Sequence, residues 1–350
     1  MTINVCIRIL ITFLLTGLGQ LSYSQGLNTY TCKYAKQSAL LHSSGEKGGA
    51  QAFSTASRSD TIDIINYTIT LDFTDLSQLS LKGDCKIKLT PLLANVSNLN
   101  LDLLALNIDS ILLNGSTLNY TYNDTLLAID LGAALTTGDT VIVDVFYNGN
   151  PLQDPSGWGG FYFQSGYGFN LGVGFQSDPH NFGRVWFPCF DNFVERSSYD
   201  FIITTAGGNV AVCNGNLTNE TALLGDTIRR SWKLQEEIPT YLACVAIKDY
   251  EVVNMSHSGL AGTIPIDVYA RAADSGKVRS SFANLGGAIT AFENGYGEYS
   301  WSKIGYTLVP FNSGAMEHAT NIAYPRYAVD GSVGFEELMA HELAHQWWGN

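Results

Sequence analysis

The sequence predicts a fold of the β plus α/β class, with an antiparallel β-domain over residues 61–262 and the start of an α/β domain over residues 263–350. Three observations support this prediction. Apolar and polar residues alternate in the first part, as half-buried strands require. Apolar residues recur at helical spacing in the second part. The chain then ends on a helical segment that carries two histidines and a glutamate.

The first 60 residues are expected to lie outside both domains. Residues 1–24 have the pattern of a secretory signal peptide, with one basic side chain, an apolar run over residues 9–18 and a small-residue cleavage site. Residues 25–60 are polar and predict a linker or flexible arm. No other stretch approaches the roughly 20 apolar residues that span a bilayer. We therefore expect an exported protein, periplasmic, cell-surface or extracellular, with no transmembrane helix after signal removal.

The strand pattern of the β-domain is clearest in three segments. Turn sequences such as Asn114-Gly115 separate strands of this kind. The alternating residues are Ile65, Tyr67, Ile69, Leu71 and Phe73; Leu81, Gly83, Cys85, Ile87 and Leu89; and Val141, Val143, Val145 and Tyr147. These segments predict strands that bury one face and expose the other.

The pattern changes to helical spacing in the second part. A single helix is predicted over residues 275–293, with an apolar face of Phe282, Leu285, Ile289 and Phe292. A second helix is predicted after Ser332, whose hydroxyl can cap the helix amino terminus. This helix leads directly into the last ten residues.

Those residues contain the H-E-x-x-H pattern of zinc hydrolases: His341, Glu342 and His345. Two histidines four positions apart lie on one helix face and can bind one zinc ion, while Glu342 projects beside the water molecule that zinc activates. A hydrogen-bonded histidine pair without metal is the alternative, but it would leave Glu342 as a buried carboxylate without a function. The pattern therefore predicts a zinc site with His341 and His345 as ligands.

A second cluster, Gly314-Ala315-Met316-Glu317-His318, precedes the histidines. Together with the H-E-x-x-H pattern, it resembles the aminopeptidase N family of zinc metallopeptidases, in the gluzincin group, where a G-x-M-E-N strand lines the substrate cleft. Residues 184–191 resemble that family's A-R-x-x-F-P-C-x-D stretch, and residues 292–310 resemble its helix, loop and strand ahead of the cleft. His318 departs from the asparagine that is commoner in the family, although a histidine can still donate a hydrogen bond.

The resemblance implies an aminopeptidase N-like amino-terminal domain followed by a truncated, thermolysin-like catalytic domain. It implies that Glu317 binds the free α-amine of a peptide, that the backbone of Gly314 and Ala315 pairs with the peptide, and that Met316 lies in the same segment. Gln176 stands near a family glutamine that contacts the amine, or is a plain loop residue. The third zinc ligand would be a glutamate about 19 residues after His345, beyond residue 350.

We therefore predict a zinc metalloaminopeptidase that binds one zinc per chain and removes the amino-terminal residue of peptides or proteins, with Glu342 as general base. The chain is expected to be truncated and inactive alone. Two alternatives stay open: an exported β-domain binding protein with a vestigial hydrolase portion, and a zinc endopeptidase, which would not need Glu317.

The charge balance restricts the partners. The chain has 19 Lys and Arg against 32 Asp and Glu, for a net charge of −13. This excess of acidic residues argues against nucleic acid or an anionic membrane as a partner. A peptide or protein with a free, cationic amino terminus is the expected partner.

Overall fold

The computed structural model describes residues 56–350. The predicted signal peptide, residues 1–24, and most of the predicted arm lie outside the described residues. The end of that arm contains a short helix, α1 (Ala56–Ser59), whose Arg58 donates a 2.7 Å hydrogen bond to the carboxylate of Asp102. Between residues 56 and 350, no helix is long and apolar enough to cross a membrane.

The first part of the described chain is built of strands. In chain order they are β1 (Ile62–Phe73), β2 (Leu81–Pro91), β3 (Val96–Asp102), β4 (Asn107–Leu113), β5 (Ser116–Thr117), β6 (Tyr120–Tyr122), β7 (Leu126–Leu135), β8 (Val141–Gly149), β9 (Gly160–Gln164), β10 (Tyr167–Leu171), β11 (Ser197–Thr205), β12 (Val210–Cys213), β13 (Asn216–Ala222), β14 (Ile228–Ile238) and β15 (Val245–Lys248).

These strands form three sheets. The largest has eight strands in the order β13-β14-β11-β1-β2-β8-β4-β5, and the other two have the orders β12-β15-β10-β9 and β3-β7-β6. Neighbouring strands are antiparallel except β1 and β11, which run parallel. More than a hundred residues separate these two strands, so the chain is long enough for the crossover that a parallel pair requires.

The centre of this part is an aromatic core. Tyr67 stacks on Tyr199 with ring centroids 5.4 Å apart, and Phe187 meets Tyr67 edge to face. The cysteines of the described segment, Cys85, Cys189, Cys213 and Cys244, are buried and free. The core therefore holds together by packing of large apolar side chains.

The second part of the described chain contains a fourth sheet, which is mixed, begins with a long hairpin and is called the second sheet because it is the sheet of the second part. Its strands are β16 (Tyr250–Gly259), β17 (Gly262–Arg271), β18 (Ile304–Val309) and β19 (Ile322–Pro325), in that order. β17, β18 and β19 run parallel, whereas β16 pairs antiparallel with β17. The predicted boundary at residue 262 falls in the turn of this hairpin, so β16 lies in the second sheet.

Three helices accompany the second sheet: α2 (Ala272–Ser281), α3 (Leu285–Tyr296) and α4 (Glu336–Ala344). The single helix predicted over residues 275–293 is thus two helices, α2 and α3. Asn284, Gly286 and Gly287 are poor helix formers and favour the interruption. Phe282, in the break, packs its ring 4.8 Å from that of Tyr306.

The predicted cap of the last helix is also wrong. Ser332 lies in a turn, where its hydroxyl accepts the N–H of Gly334 at 3.1 Å. The residue at the cap position of α4 is Phe335, which makes no side-chain capping bond. Leu338, Met339 and Leu343 fix this helix by burying its apolar face in the core of the second part.

Candidate active site

The histidines of the H-E-x-x-H pattern lie at the carboxyl end of α4. His341 is inside the helix, and His345 is its C-cap residue with backbone angles that are still helical, φ −60° and ψ −23°. The ring centroids are 5.1 Å apart, and the ring planes are nearly perpendicular. Both side chains are half-buried. The spacing of one helical turn thus brings the two imidazoles to one place.

The hydrogen bond of His345 fits a metal ligand. Its Nδ1 lies 3.1 Å from the carbonyl oxygen of Trp348. Because a carbonyl only accepts, this contact favours the tautomer with hydrogen on Nδ1, and Nε2 is then the nitrogen with a lone pair for a metal. The donor set of two imidazoles beside carboxylates is one that zinc prefers.

Glu342 is fully buried between the histidines. Tyr306 and Tyr324 lie close to it. Burial is the main cause of the raised pKa of both phenols, and the negative charge of Glu342 raises the pKa of each further. A carboxylate with so little access to solvent can exchange a proton only with a group that lies within hydrogen-bond distance of it.

Glu317 lies beside these residues. One side-chain ligand atom each of Glu317, Glu342 and His345 lie within 4.8 Å of one another. Glu317 is 8% exposed, and its Oε2 is buried without a hydrogen-bond partner among residues 56–350. Such an acceptor is costly unless a ligand satisfies it. The structure therefore brings Glu317 together with Glu342 and His345.

The segment that carries Glu317 runs along the edge of the second sheet. Met316 exchanges two backbone hydrogen bonds with Ala323 of β19, at 3.0 and 2.9 Å. Gly314 has a φ of +104°, which a residue with a side chain would adopt only with strain. Ala315 and Met316 are buried. The edge of the sheet thus fixes the backbone just ahead of Glu317.

Two residues that follow the second histidine, and that lie outside the H-E-x-x-H pattern, also hold this segment. Gln346 accepts the N–H of Thr320 at 3.0 Å and donates to the carbonyl oxygens of Glu317 and His318, both at 3.4 Å. Asn350 donates to the carbonyl of Glu317 at 2.7 Å. The sequence signals this hydrogen bonding to the Glu317 segment only by amide side chains just after a helix that is expected to be buried.

His318 differs from the expectation. It is fully buried, and both ring nitrogens are without a hydrogen-bond partner in the described part of the chain, so the expected hydrogen bond from this side chain is absent there. It packs in a small cavity whose other walls include Cys244, Thr307 and Asn321. Burial lowers the pKa of His318 to about 3, so the ring is neutral at ordinary pH.

Gln176 lies on a loop of the β-domain. Its side chain is exposed and lines a cavity of about 510 Å³ together with Ser177, Asp178 and Arg184. Its backbone N–H donates to the buried carboxylate of Asp154 at 3.1 Å. None of Glu317, Glu342 and His345 is among the walls of that cavity.

Comparison with known proteins points to one family. Residues 64–242 match the model of the peptidase M1 N-terminal domain. The chain is 29% identical to glutamyl aminopeptidase of Bos taurus over 181 residues and 29% identical to endoplasmic reticulum aminopeptidase 1 of Homo sapiens over 185 residues. Each match covers 48% of this chain but only 18% and 19% of the two relatives, so the chain spans about a fifth of their length.

Solved structures show the same fold. An M1 zinc metallopeptidase from Deinococcus radiodurans superposes with a TM-score of 0.72 at 21% identity, covering 83% of this chain and 65% of that one. Yeast LTA4 hydrolase superposes with a TM-score of 0.67 at 18% identity, covering 87% and 47% of the two chains. At this level of identity the similarity concerns the arrangement of the strands and helices.

Proposed function

The chain belongs to the peptidase M1 family, and on that premise we propose that it is part of a zinc aminopeptidase that removes the amino-terminal residue of peptides or proteins. The observation that carries the proposal is the position of Glu317. A carboxylate with an unsatisfied oxygen lies within 4.8 Å of the general-base candidate and of a histidine. A fixed anionic group beside the reacting centre selects substrates with a cationic end one residue away.

In this proposal His341 and His345 hold the zinc ion. Zinc, when bound there, would polarise the peptide carbonyl and lower the pKa of a water molecule. The hydrogen bond from His345 to the carbonyl of Trp348 orients its ring for this role.

Glu342 acts as the general base. It takes a proton from the attacking water and returns it to the nitrogen of the leaving peptide. Its side-chain ligand atom lies within 4.8 Å of that of His345, which supports this role because a general base must lie close to the water that it deprotonates. Because Glu342 lies between the two histidines, its carboxylate acts on the bond that reacts next to them.

Glu317 binds the α-ammonium group of the substrate. The backbone of Gly314 and Ala315 pairs with the peptide, and Met316 anchors that backbone to β19 through its two bonds to Ala323. Gln176 is proposed as a further amine contact from the β-domain loop, against the alternative of a cavity wall residue. We also propose that the protein is exported by the signal peptide of residues 1–24.

Metal content and activity together test the assignment of the H-E-x-x-H residues. We expect about one zinc per full-length chain by mass spectrometry of metals, and loss of that zinc in His345→Ala. Glu342→Gln should keep the zinc and lose activity by about 10²–10⁴-fold, because the base is removed and the ligands remain. His257→Ala, at a histidine of the β16 strand, is the matched control for metal content.

Two results would contradict the proposal. One is a Glu342→Gln variant that hydrolyses aminoacyl substrates at the wild-type rate. The other is zinc that remains bound at one per chain when both His341 and His345 are replaced by alanine.

A further inference from the structure

A buried aspartate of the β-domain, Asp154, connects the turn that follows it to the loop of residues 174–178. We propose that Asp154 is a positioning residue that holds the backbone of residues 313–317 in place from the β-domain side. The inference rests on the proposed function where it concerns substrate affinity. The positioning itself is a property of the backbone and is measurable without a substrate.

The carboxylate of Asp154 is the centre of a dense hydrogen-bond network. It is 2% exposed and accepts five hydrogen bonds from three residues. The donors are the N–H and hydroxyl of Ser156, the N–H of Gln176 at 3.1 Å, and the N–H and hydroxyl of Ser177 at 3.0 and 2.7 Å. One side chain thus joins the turn after residue 154 to the loop that carries Gln176.

The surroundings are shaped for this carboxylate. A Cβ atom on Gly174 would lie 2.4 Å from Oδ2 of Asp154, so only glycine leaves room there. Burial acts to raise the pKa of Asp154, but the hydrogen bonds from Ser156, Ser177 and Gln176 outweigh it and the pKa is lowered. The group is therefore an anion whose acceptor capacity is used by the two loops.

Trp158 transmits the position of this network to the cleft. It lies in the turn that Asp154 closes, where the N–H of Asp154 donates to the carbonyl of Gly159 at 3.0 Å. The indole stacks on Phe175 with ring centroids 4.7 Å apart, and its Nε1–H donates to the carbonyl of Ser313 at 2.6 Å. Ser313 directly precedes Gly314. The path from Asp154 to the segment of Glu317 is therefore one turn and one hydrogen bond long.

The turn depends on its side-chain bonds because it lacks regular secondary structure. Gly157 and Gly159 have φ values of +76° and +114°, and the turn lies between β8 and β9. The carboxylate adds to the other bonds of this turn, in which the N–H of Gly159 donates to the hydroxyl of Tyr162 at 2.7 Å and the N–H of Gly157 donates to the carbonyl of Asp154 at 2.8 Å. A shift of about 1 Å at a positioning segment can change the rate or affinity about 100-fold, so a small movement of residues 313–317 has a large effect on the amine site.

The test combines hydrogen exchange with kinetics in the full-length protein. In Asp154→Asn, amide exchange in the peptide covering residues 313–320 should be about 10-fold faster than in the wild type, because the restraint on that segment is lost. Trp158→Phe keeps the ring and removes the Nε1–H donor, and it should give the same local increase. The double variant should exceed neither single variant by more than about 2-fold, because both changes break one path.

Two variants serve as matched controls. Asp75 also accepts from a serine two positions on, Ser77, but in an exposed turn, so Asp75→Asn should leave exchange at residues 313–320 unchanged. Trp232 donates its Nε1–H to the carbonyl of Ala211 at 3.1 Å, and Trp232→Phe removes a comparable bond elsewhere. The melting temperature of each variant shows how much global stability is lost.

Kinetics separates this inference from the proposed function. With an unblocked aminoacyl anilide, Asp154→Asn should raise KM about 10-fold and change kcat by less than about 3-fold, because the amine contact is displaced while Glu342 is not. Unchanged exchange at residues 313–320, with faster exchange only near residues 174–178, would overturn the inference, as would additive effects of the two variants. If the wild type cleaves no unblocked substrate, the proposed function fails, and the exchange data still decide the role of Asp154.

Discussion

At the scale of single residues, the environment of His318 differs greatly from that of a histidine in water. It is fully buried, its pKa is lowered to about 3, and an unfolded histidine has a pKa of 6.5. Between these two values the unfolded chain binds a proton that the folded chain does not. His318 therefore lowers the stability of the fold as pH falls from 6.5 towards 3.

This argument predicts a measurable pH dependence. Between pH 7.5 and pH 5.0, the wild type should lose about 2 kcal/mol more free energy of unfolding than His318→Asn, which has no proton to bind there. Urea unfolding at the two pH values measures the difference. His257→Asn, at a histidine that solvent reaches, is the control. Equal pH dependence of wild type and His318→Asn would show that His318 is protonated in the folded state.

Residue-level prediction from the sequence failed where the backbone departs from a regular period. The alternation assigned Ile65 to the buried face of β1, but Ile62 and Ile64 are buried and Ile65 is only half-buried. The pairing of β1 with β2 shifts between Ile64 and Asn66. A β-bulge inserts one residue and reverses the faces on one side of it, and an apolar residue at the bulge gives no sign of it.

At the scale of elements, α4 and the segment of Glu317 form one unit because Gln346 joins them. Gln346 is 5% exposed, its side chain bonds to Thr320, Glu317 and His318, and its carbonyl accepts from the indole of Trp301 at 2.7 Å. These contacts tie the end of α4 to the segment of Glu317. The distance between His345 and Glu317 is fixed in this way.

Removal of this side chain should be costly. Gln346→Ala leaves the N–H of Thr320 buried without its acceptor, and we expect a loss of about 1–3 kcal/mol in the free energy of unfolding. Urea denaturation measures it. Gln78→Ala removes an exposed amide that donates to Asp75 and should cost less than about 0.5 kcal/mol. If Gln346→Ala lowers the free energy of unfolding no more than Gln78→Ala does, Gln346 does not join α4 to the segment of Glu317.

Elements were predictable where burial is one-sided and local. The alternating pattern of β2 and β8 follows from one buried face, and the helical spacing of His341 and His345 follows from α4. The break between α2 and α3 was not predicted, because the poor helix formers near it are compatible with a continuous helix and Phe282 in the break packs against Tyr306, a contact between distant parts of the chain. The parallel pair of β1 and β11 has the same kind of cause.

At the scale of the whole molecule, the two parts of the chain share buried contacts. Lys303 is 2% exposed, with its ammonium 4.7 Å from the ring centroid of Trp232 in β14 and 5.5 Å from that of Tyr269 in β17. Its pKa is lowered to about 8 by burial, which the nearby Asp267 opposes. A cation between aromatic rings of two sheets contributes to the contact between the sheets.

The composition of the proposed site follows from this shared packing. The H-E-x-x-H residues lie close in sequence, so spacing alone predicted that they meet. The placement of Glu317 was expected only from resemblance to a family. Asp154 and Gln346 act through contacts with residues 22 to 29 positions away in the chain, and such pairs have no local sequence pattern.

The measurement that tests the central claim most directly is the substrate preference of Glu317→Ala in the full-length protein. We expect hydrolysis of an unblocked aminoacyl anilide to fall about 100-fold, because a charge-assisted contact to the substrate amine is lost, while zinc content stays the same. Glu298→Ala, at an exposed glutamate, should have no effect. If Glu317→Ala cleaves unblocked substrates as fast as the wild type, or if the wild type prefers blocked peptides, the protein is not an aminopeptidase that uses this site.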